Sequence, residues 1–193
     1  NQYSLGGYYT GLAGWEFSIE GYYKQMRHIL EYQDGVSFFG TSTNWEEKVE
    51  MGGGRSFGLE MMVQKTLGKT TGWLAYTLAK TDHRFKDGAI SQGKWFPYKY
   101  DRRHTISLCL NHKFSERIDV GASWIFNTGG CITVPERETI IIRPEGNIES
   151  APYISRRNNY RLPASHRLNL GINFNKKTKH GMRTWNISLY NAY

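Results

Sequence analysis

The feature that most constrains the fold is a period-two alternation of apolar and polar residues in the stretch from Asp101 to Phe126. The apolar members of this pattern are Ile106, Leu108, Leu110, Ile118, Val120, Ala122, Trp124 and Phe126. Successive side chains of a strand point to opposite faces, so each segment has one apolar face and one mainly polar or small face. A polar turn at Ser115 and Glu116 joins the two segments. The pattern therefore predicts an antiparallel hairpin.

The same unit repeats from end to end. Further alternating segments lie at 2–10, 15–25 with a continuation to about Leu30, 55–65, 72–82, 165–175 and around Trp185–Leu189. A short additional strand is predicted at Thr139–Ile142, inside an irregular stretch. Each main segment is roughly 9–11 residues long, which is the length of a tilted strand that crosses a bilayer. We therefore expect about eight strands in the chain, an even number, as in bacterial outer-membrane barrels.

The connections between these segments alternate in length. They are short near residues 12, 68, 115 and 178 and long near residues 40, 92 and 145. Outer-membrane barrels sort their connections in this way, with short periplasmic turns and long extracellular loops. A soluble barrel or sandwich has no reason to do so. The loop pattern therefore favours a membrane barrel.

Hydropathy is compatible with this interpretation. The mean hydropathy is −0.60, and no continuous apolar run is long enough for a membrane helix. A barrel strand needs an apolar residue only at every second position. The faces opposite the apolar ones carry Glu16, Glu20, Glu60, Gln64, Arg167 and Asn169. A water-filled or plugged lumen accepts such groups, whereas a dry core does not. We therefore predict an all-β fold, an antiparallel transmembrane β-barrel.

The charge balance and the cysteines narrow the partners and the compartment only slightly. The chain has 25 Lys and Arg against 17 Asp and Glu, an excess that suggests an anionic surface or ligand. The basic residues gather in loops and turns, and the strand aromatics lie mainly on the apolar faces. This separation argues against nucleic-acid binding.

Cys109 and Cys131 lie at unequal distances from the hairpin bend, so we expect both to be free.

Three segments in order carry a family resemblance. The runs GLEMMVQKTLGKTTGWLAYTLAKT (58–81), GKWFPYKYDRRH (93–104) and NTGG (127–130) resemble the C-terminal barrel of TonB-dependent outer-membrane receptors of the type abundant in Bacteroidetes. The resemblance covers 58–130, and the strands up to Tyr193 fit the same pattern. It implies an outer-membrane location, a barrel of roughly 22 strands with a plug domain inside, and import driven by TonB.

The chain departs from a whole receptor in several respects. It carries no plug, no TonB box, no signal peptide and only about a third of the expected strands, and the aromatic end that closes such barrels is missing. We therefore expect residues 1–193 to be a C-terminal or internal portion of the barrel. Its expected partners are outer-membrane lipid and lipopolysaccharide, TonB through the absent plug, and a surface lipoprotein. The implied cargo is an iron chelate, a cobalamin-like cofactor, an oligosaccharide or a peptide.

The loop WFPYKYDRRH (95–104) is the best candidate for ligand contact. Its rings and cations can stack on sugars or chelates and pair with anions. The candidate residues are Trp95, Tyr98, Tyr100 and Arg102. The aromatic residues also suit the girdle at the outer interface, with Arg102 and Arg103 facing lipopolysaccharide phosphates. Because girdle residues are expected where strands leave the bilayer, the sequence favours the girdle.

The sequence predicts no enzyme. It contains no nucleophile elbow and no phosphate loop, and its histidines have no partner at metal-ligand spacing, so we assign no catalytic residue, cofactor or metal. Two other functions stay open. One is a complete eight-stranded barrel that acts as an adhesin or structural protein of the outer membrane. The other is a soluble β carbohydrate-binding module.

Overall fold

Eight long strands make up most of the fold. The structure is a computed structural model and describes residues 1–34, 44–142 and 148–193. The long strands are β1 (Gln2–Tyr9), β2 (Trp15–Tyr32), β3 (Val49–Lys65), β4 (Thr70–Arg84), β6 (His104–Lys113), β7 (Ile118–Asn127), β12 (Ser165–Thr178) and β13 (Gly181–Leu189). The short strands are β5 (Phe96–Pro97), β8 (Cys131–Ile132), β9 (Arg137–Ile142), β10 (Ile148–Tyr153) and β11 (Tyr160–Arg161). Helical structure in the described ranges is limited to short 3₁₀ turns at Trp45–Lys48 and Ser91–Gly93, and neither could span a bilayer.

The long strands form one antiparallel sheet in the order β1-β2-β3-β4-β6-β7-β12-β13, and β5 adds to β4. The predicted all-β antiparallel fold with eight main strands is therefore confirmed, as is the hairpin of β6 and β7. β1 and β13 are the two edges of this sheet, so the described strands do not close on themselves. The short strands pair outside it, β9 with β10 and β8 with β11.

One strand boundary differs clearly from the prediction. β2 ends at Tyr32, close to the predicted end near Leu30, whereas β3 begins at Val49 instead of residue 55. The segment Gly52–Gly54 has the composition of a turn, yet it pairs with β2 across a register shift at His28, whose φ is +57°. Such a bulge inserts one extra residue and lets the ladder continue, so tertiary pairing overrides the weak strand preference of glycine.

The alternation seen in the sequence produces one apolar face across the whole sheet. One row of directly opposed residues runs Tyr9, Phe17, Val63, Leu74, Leu108, Trp124 and Leu168. The next row contains Ile19, Met61, Tyr76, Ile106 and Phe126. No other described segment covers this face, and Trp185 and Ile187 on the edge strand are 63% and 64% exposed. The apolar segments of eight separate strands therefore share one continuous surface.

The opposite face is polar. Glu20 lies across from Glu60, and Asn169 lies across from Ser123, as the sequence alternation predicts. Small residues fill the centre of this face, where Ala75 lies across from Ser107. We call these two surfaces the apolar face and the polar face.

The connections are sorted between the two ends of the sheet. Four short turns join β1 to β2, β3 to β4, β6 to β7 and β12 to β13 at one end, and the three long connections lie at the other, which we call the long-loop end. The strand predicted at Thr139–Ile142 forms as β9, with an unforeseen partner in β10. Residues 35–43 and 143–147 of the predicted loops lie outside the described residues.

Candidate functional site

The most buried residues of the described chain lie at the long-loop end. Phe85, Ile90 and Phe96 are 1%, 0% and 2% exposed and form a small apolar core, and Ile29 of β2 packs against it. The rings of Phe85 and Phe96 stack with their centroids 6.1 Å apart. A sheet with two open faces buries little, so this cluster is what gives the connecting segments a fixed shape.

A buried carboxylate ties the connection before β6 to the connection after β7. The Asp101 side chain is 1% exposed, and its Oδ1 accepts a hydrogen bond from the backbone N–H of Thr81 at 2.7 Å. Its Oδ2 accepts from Arg161 Nη2 at 2.5 Å and from Arg103 Nη2 at 3.3 Å. Arg161 Nη1 also donates to the backbone oxygen of Gly129 at 2.8 Å. Because Asp101 is shielded from water, these charge-assisted bonds hold the two segments in register.

Arg157 joins all three long connections. Its guanidinium pairs with Asp34 at 2.5 Å and with Glu31 at 3.1 Å. Its backbone N–H donates to Ser91 Oγ at 2.8 Å, and the backbone N–H of Ser91 donates to the Asp34 carboxylate at 2.8 Å. One arginine thus crosslinks the β2, β4 and β7 loops. The long-loop end is a single packed structure rather than three independent loops.

Two titratable groups of the loops have shifted pKa values. Burial raises the pKa of the Cys131 thiol, so it is protonated at neutral pH and is a poor nucleophile. Hydrogen bonds from Ser155 and Asn159 lower the pKa of Glu136, which keeps this carboxyl ionised. Both cysteines are free, and Cys131 lies in the β8–β11 pair while Cys109 lies opposite Ser123 in the sheet, as their spacing predicts.

Trp95 lies on the apolar-face side of the long-loop end. The guanidinium carbon of Arg55 is 4.4 Å from the centroid of its ring, and that of Arg84 is 6.0 Å away. Arg55 and Lys80 both pair with the buried Asp82, at 3.2 and 3.3 Å. A tryptophan ring that contacts two arginine guanidinium groups is suited to the boundary between an apolar and a polar part of a surface.

The other three predicted contact residues lie elsewhere. Tyr98 stacks on His83 with centroids 4.7 Å apart, and Tyr100 meets Tyr98 edge to face at 5.4 Å. Tyr100 is 64% exposed. Arg102 lines a groove of about 510 Å³ on the polar face, together with Arg167. The structure thus brings Tyr98 and Tyr100 together, and places Trp95 and Arg102 at separate surfaces. Arg103 pairs with Asp101 at 3.3 Å, and its side chain is 36% exposed.

An amide ladder on the polar face escaped the sequence analysis. The side-chain amides of Asn173 and Asn175 each donate to the Asp119 carboxylate at 2.7 Å. Thr184 Oγ1 donates to Asn175 Oδ1, and Asn186 Nδ2 donates to Asn173 Oδ1, both at 2.7 Å. The signal was the recurrence of asparagine at alternate positions of SHRLNLGINFN. The ladder runs across three strands, so its hydrogen bonds link β7, β12 and β13 on the polar face near the short turns.

Comparison with family models and with curated proteins found no match. Within the described ranges, no three His, Cys, Asp or Glu side chains are placed to hold a metal ion. The resemblance to TonB-dependent receptors therefore stays a prediction, and the candidate site is defined by its geometry alone.

Proposed function

We propose that this chain is part of the transmembrane barrel of a TonB-dependent outer-membrane receptor, which imports a scarce, bulky nutrient. The carrying observation is the apolar face, which runs without interruption across all eight long strands and is left uncovered by the described residues. The proposed role as a receptor rests on this observation together with the family resemblance. In this proposal the apolar face meets lipid and the polar face lines the lumen.

The size of the apolar face supports the proposal. Eight strands about 4.8 Å apart span about 34 Å, and the stretch from Phe17 to Tyr23 adds a height of about 20 Å, so the face covers roughly 700 Å². The largest apolar patches on water-soluble monomers are roughly 300–600 Å², and larger ones mark contact with protein or membrane. A lipid environment stabilises such a surface by removing it from water.

The two ends of the sheet suit a receptor with one extracellular side. The crosslinked long-loop end forms a shaped surface with an exposed ring at Tyr100 and cations nearby. Lys99 lies 4.7 Å from the ring centroid of Tyr100, an arrangement that can contact a sugar or an anionic chelate. Ligand capture by this surface would precede passage along the polar face, past the plug, with energy delivered through TonB.

The alternatives fit less well. A self-contained eight-stranded barrel requires β1 to pair with β13, and these strands are instead the two edges of the sheet. Edges of this kind need further strands in lipid, which suits a portion of a larger barrel. A soluble carbohydrate-binding module would expose the whole apolar face to water.

The first test is the denatured intact mass of the native protein in purified outer membranes. A mass several times 22.3 kDa, with peptides of this chain inside it, supports the plugged receptor. A mass near 22.3 kDa overturns it. Recovery of the protein in the aqueous fraction after carbonate washing would favour the soluble module.

The second test addresses transport. A strain that lacks the protein should fail to accumulate one of four labelled probes, an iron chelate, cobalamin, an oligosaccharide or a peptide. A protonophore should abolish accumulation in the parent strain, because TonB draws on the proton-motive force. Accumulation that survives both treatments for every probe would contradict the receptor role.

A further inference from the structure

A basic groove lies where the apolar face meets the long-loop end. The register places Gly53 of β3 directly between Arg27 of β2 and Arg84 of β4. Because Gly53 has no side chain, a gap opens between the two arginines. This gap is part of a groove of about 510 Å³, whose rim also carries Lys86 and Trp95. We call it the Gly53 groove.

The charges of the Gly53 groove are largely available to a ligand. Arg27 is exposed and has no acidic partner among the described residues. Arg84 lines the groove and uses Nε to donate to the backbone oxygen of Gly93 at 2.8 Å, so its two terminal nitrogens keep no hydrogen-bond partner among the described residues. Lys86 adds a third cation, and Asp87 is the one carboxylate on the described rim. The groove therefore carries a net positive charge.

The position of the groove relative to the apolar face identifies the ligand chemistry. Gly53 precedes Phe57, the aromatic residue of the apolar face on β3, by four residues, or about 13 Å along the strand. A strand tilt of about 40° reduces this to about 10 Å along the membrane normal. The headgroup layer is about 5–8 Å thick on each side of the hydrocarbon. Arginine side chains are long enough to cover the difference between this distance and the thickness of the headgroup layer.

We propose that the Gly53 groove binds the phosphate of an anionic membrane lipid. Two guanidinium groups on strands about 10 Å apart can approach one phosphate from both sides, and guanidinium matches phosphate oxygens with paired hydrogen bonds. The indole of Trp95 is suited to the interfacial layer beside them. The acyl chains would lie along the apolar face below. This inference rests on the proposed placement of the apolar face in the bilayer.

The test uses the purified protein in nanodiscs of phosphatidylcholine, with and without phosphatidylglycerol, and native mass spectrometry of the retained lipid. The double variant Arg27→Gln/Arg84→Gln should retain phosphatidylglycerol roughly 30-fold more weakly, about fivefold for each arginine. The matched control Arg117→Gln/Lys177→Gln removes the same charge at the short-turn end and should retain it as the parent does. Equal losses in both double variants would overturn the proposal, because only bulk charge would then matter.

A second variant separates shape from charge. Gly53→Leu keeps every cation but fills the groove. A Cβ at this position meets its nearest neighbour, the backbone oxygen of Met26, at 3.3 Å, so β2 must shift by a few tenths of an ångström, and the circular dichroism of the variant is compared with that of the parent. The variant should also lose selective retention of phosphatidylglycerol. Undiminished retention would contradict binding inside the groove.

Two readouts keep this test apart from the proposed function. Insertion of all variants into pure phosphatidylcholine nanodiscs tests membrane placement alone, and failure there refutes the proposed function. Normal insertion without preference for phosphatidylglycerol refutes only the Gly53 groove as a lipid site. A titration with inorganic phosphate identifies the source of the anion, and free phosphate that displaces the lipid at equal concentration would show a site for soluble anions.

Discussion

A single arginine at Leu108 tests the proposal that the apolar face of the sheet meets lipid. Leu108 lies opposite Leu74 of β4 and Trp124 of β7, at the centre of the apolar face. On the same face of β6, His104 and His112 stand four residues to either side, about 13 Å away along the strand. These two histidines are the polar residues at which the apolar stretch of β6 ends. His104 is hydrogen-bonded there, since its Nδ1 is 2.8 Å from the hydroxyl of Tyr76.

The expected magnitude follows from this position. The span between the two histidines is about 26 Å along the strand, or about 20 Å along the normal at a tilt of about 40°. In the proposed bilayer placement, this span falls within an apolar band about 25 Å tall, and Leu108 lies close to the midplane. Leu108→Arg should lower the free energy of unfolding by about 2–4 kcal/mol, which is about 30-fold to 1000-fold in the equilibrium constant.

The matched control is Ser107→Arg, one residue away on the polar face. Ser107 lies opposite Ala75 and Ile125 in the part of the sheet that lines the proposed lumen. We expect this variant to cost no more than about 1 kcal/mol. The assay is denaturant unfolding of the protein in phosphatidylcholine vesicles, followed by tryptophan fluorescence. Equal losses for the two variants, or a larger loss for Ser107→Arg, would refute the assignment of faces.

Two further predictions concern the long-loop end. Asp101→Asn removes the charge that Arg161 pairs with, so the hydrogen exchange of the backbone amides in 128–142 should accelerate by about 100-fold. The control Asp87→Asn changes an exposed residue and should leave this exchange rate unchanged. Equal exchange rates in both variants would mean that the buried ion pair does not hold the loop. Burial raises the pKa of Cys131, so in the folded protein its thiol should react with iodoacetamide at least about tenfold more slowly than that of Cys109. After denaturation the two rates should be equal. A faster reaction at Cys131 in the folded protein would contradict its burial.

The alternation of residues was sufficient to predict the main sheet. Ile106, Leu108 and Leu110 carry a period of two, and this period assigns a face whatever the neighbouring strand is. Turn composition near Ser115 then places the hairpin. These are local properties, so the number of strands, their faces and the sorting of short and long connections follow from the chain alone.

The candidate site could not be predicted in this way, because it depends on registers between distant strands. Asp101 and Arg161 are 60 residues apart, and their pairing needs two folded loops. In the sequence, Gly53 lies in a segment with the composition of a turn. Only the strand pairing shows that it lies between Arg27 and Arg84 and leaves a gap between these two cations.

The sequence by itself determined the strand period, the apolar and polar faces and the alternation of connection lengths, since each depends on residues close together in the chain. Tertiary structure alone decided that the apolar faces join into one surface with open edges at β1 and β13. It also decided that Trp95 and Arg102 belong to different surfaces, and that Arg157 crosslinks the loops. The physical reason is that strand pairing sets the lateral neighbours of each side chain, and those neighbours come from segments far apart in sequence.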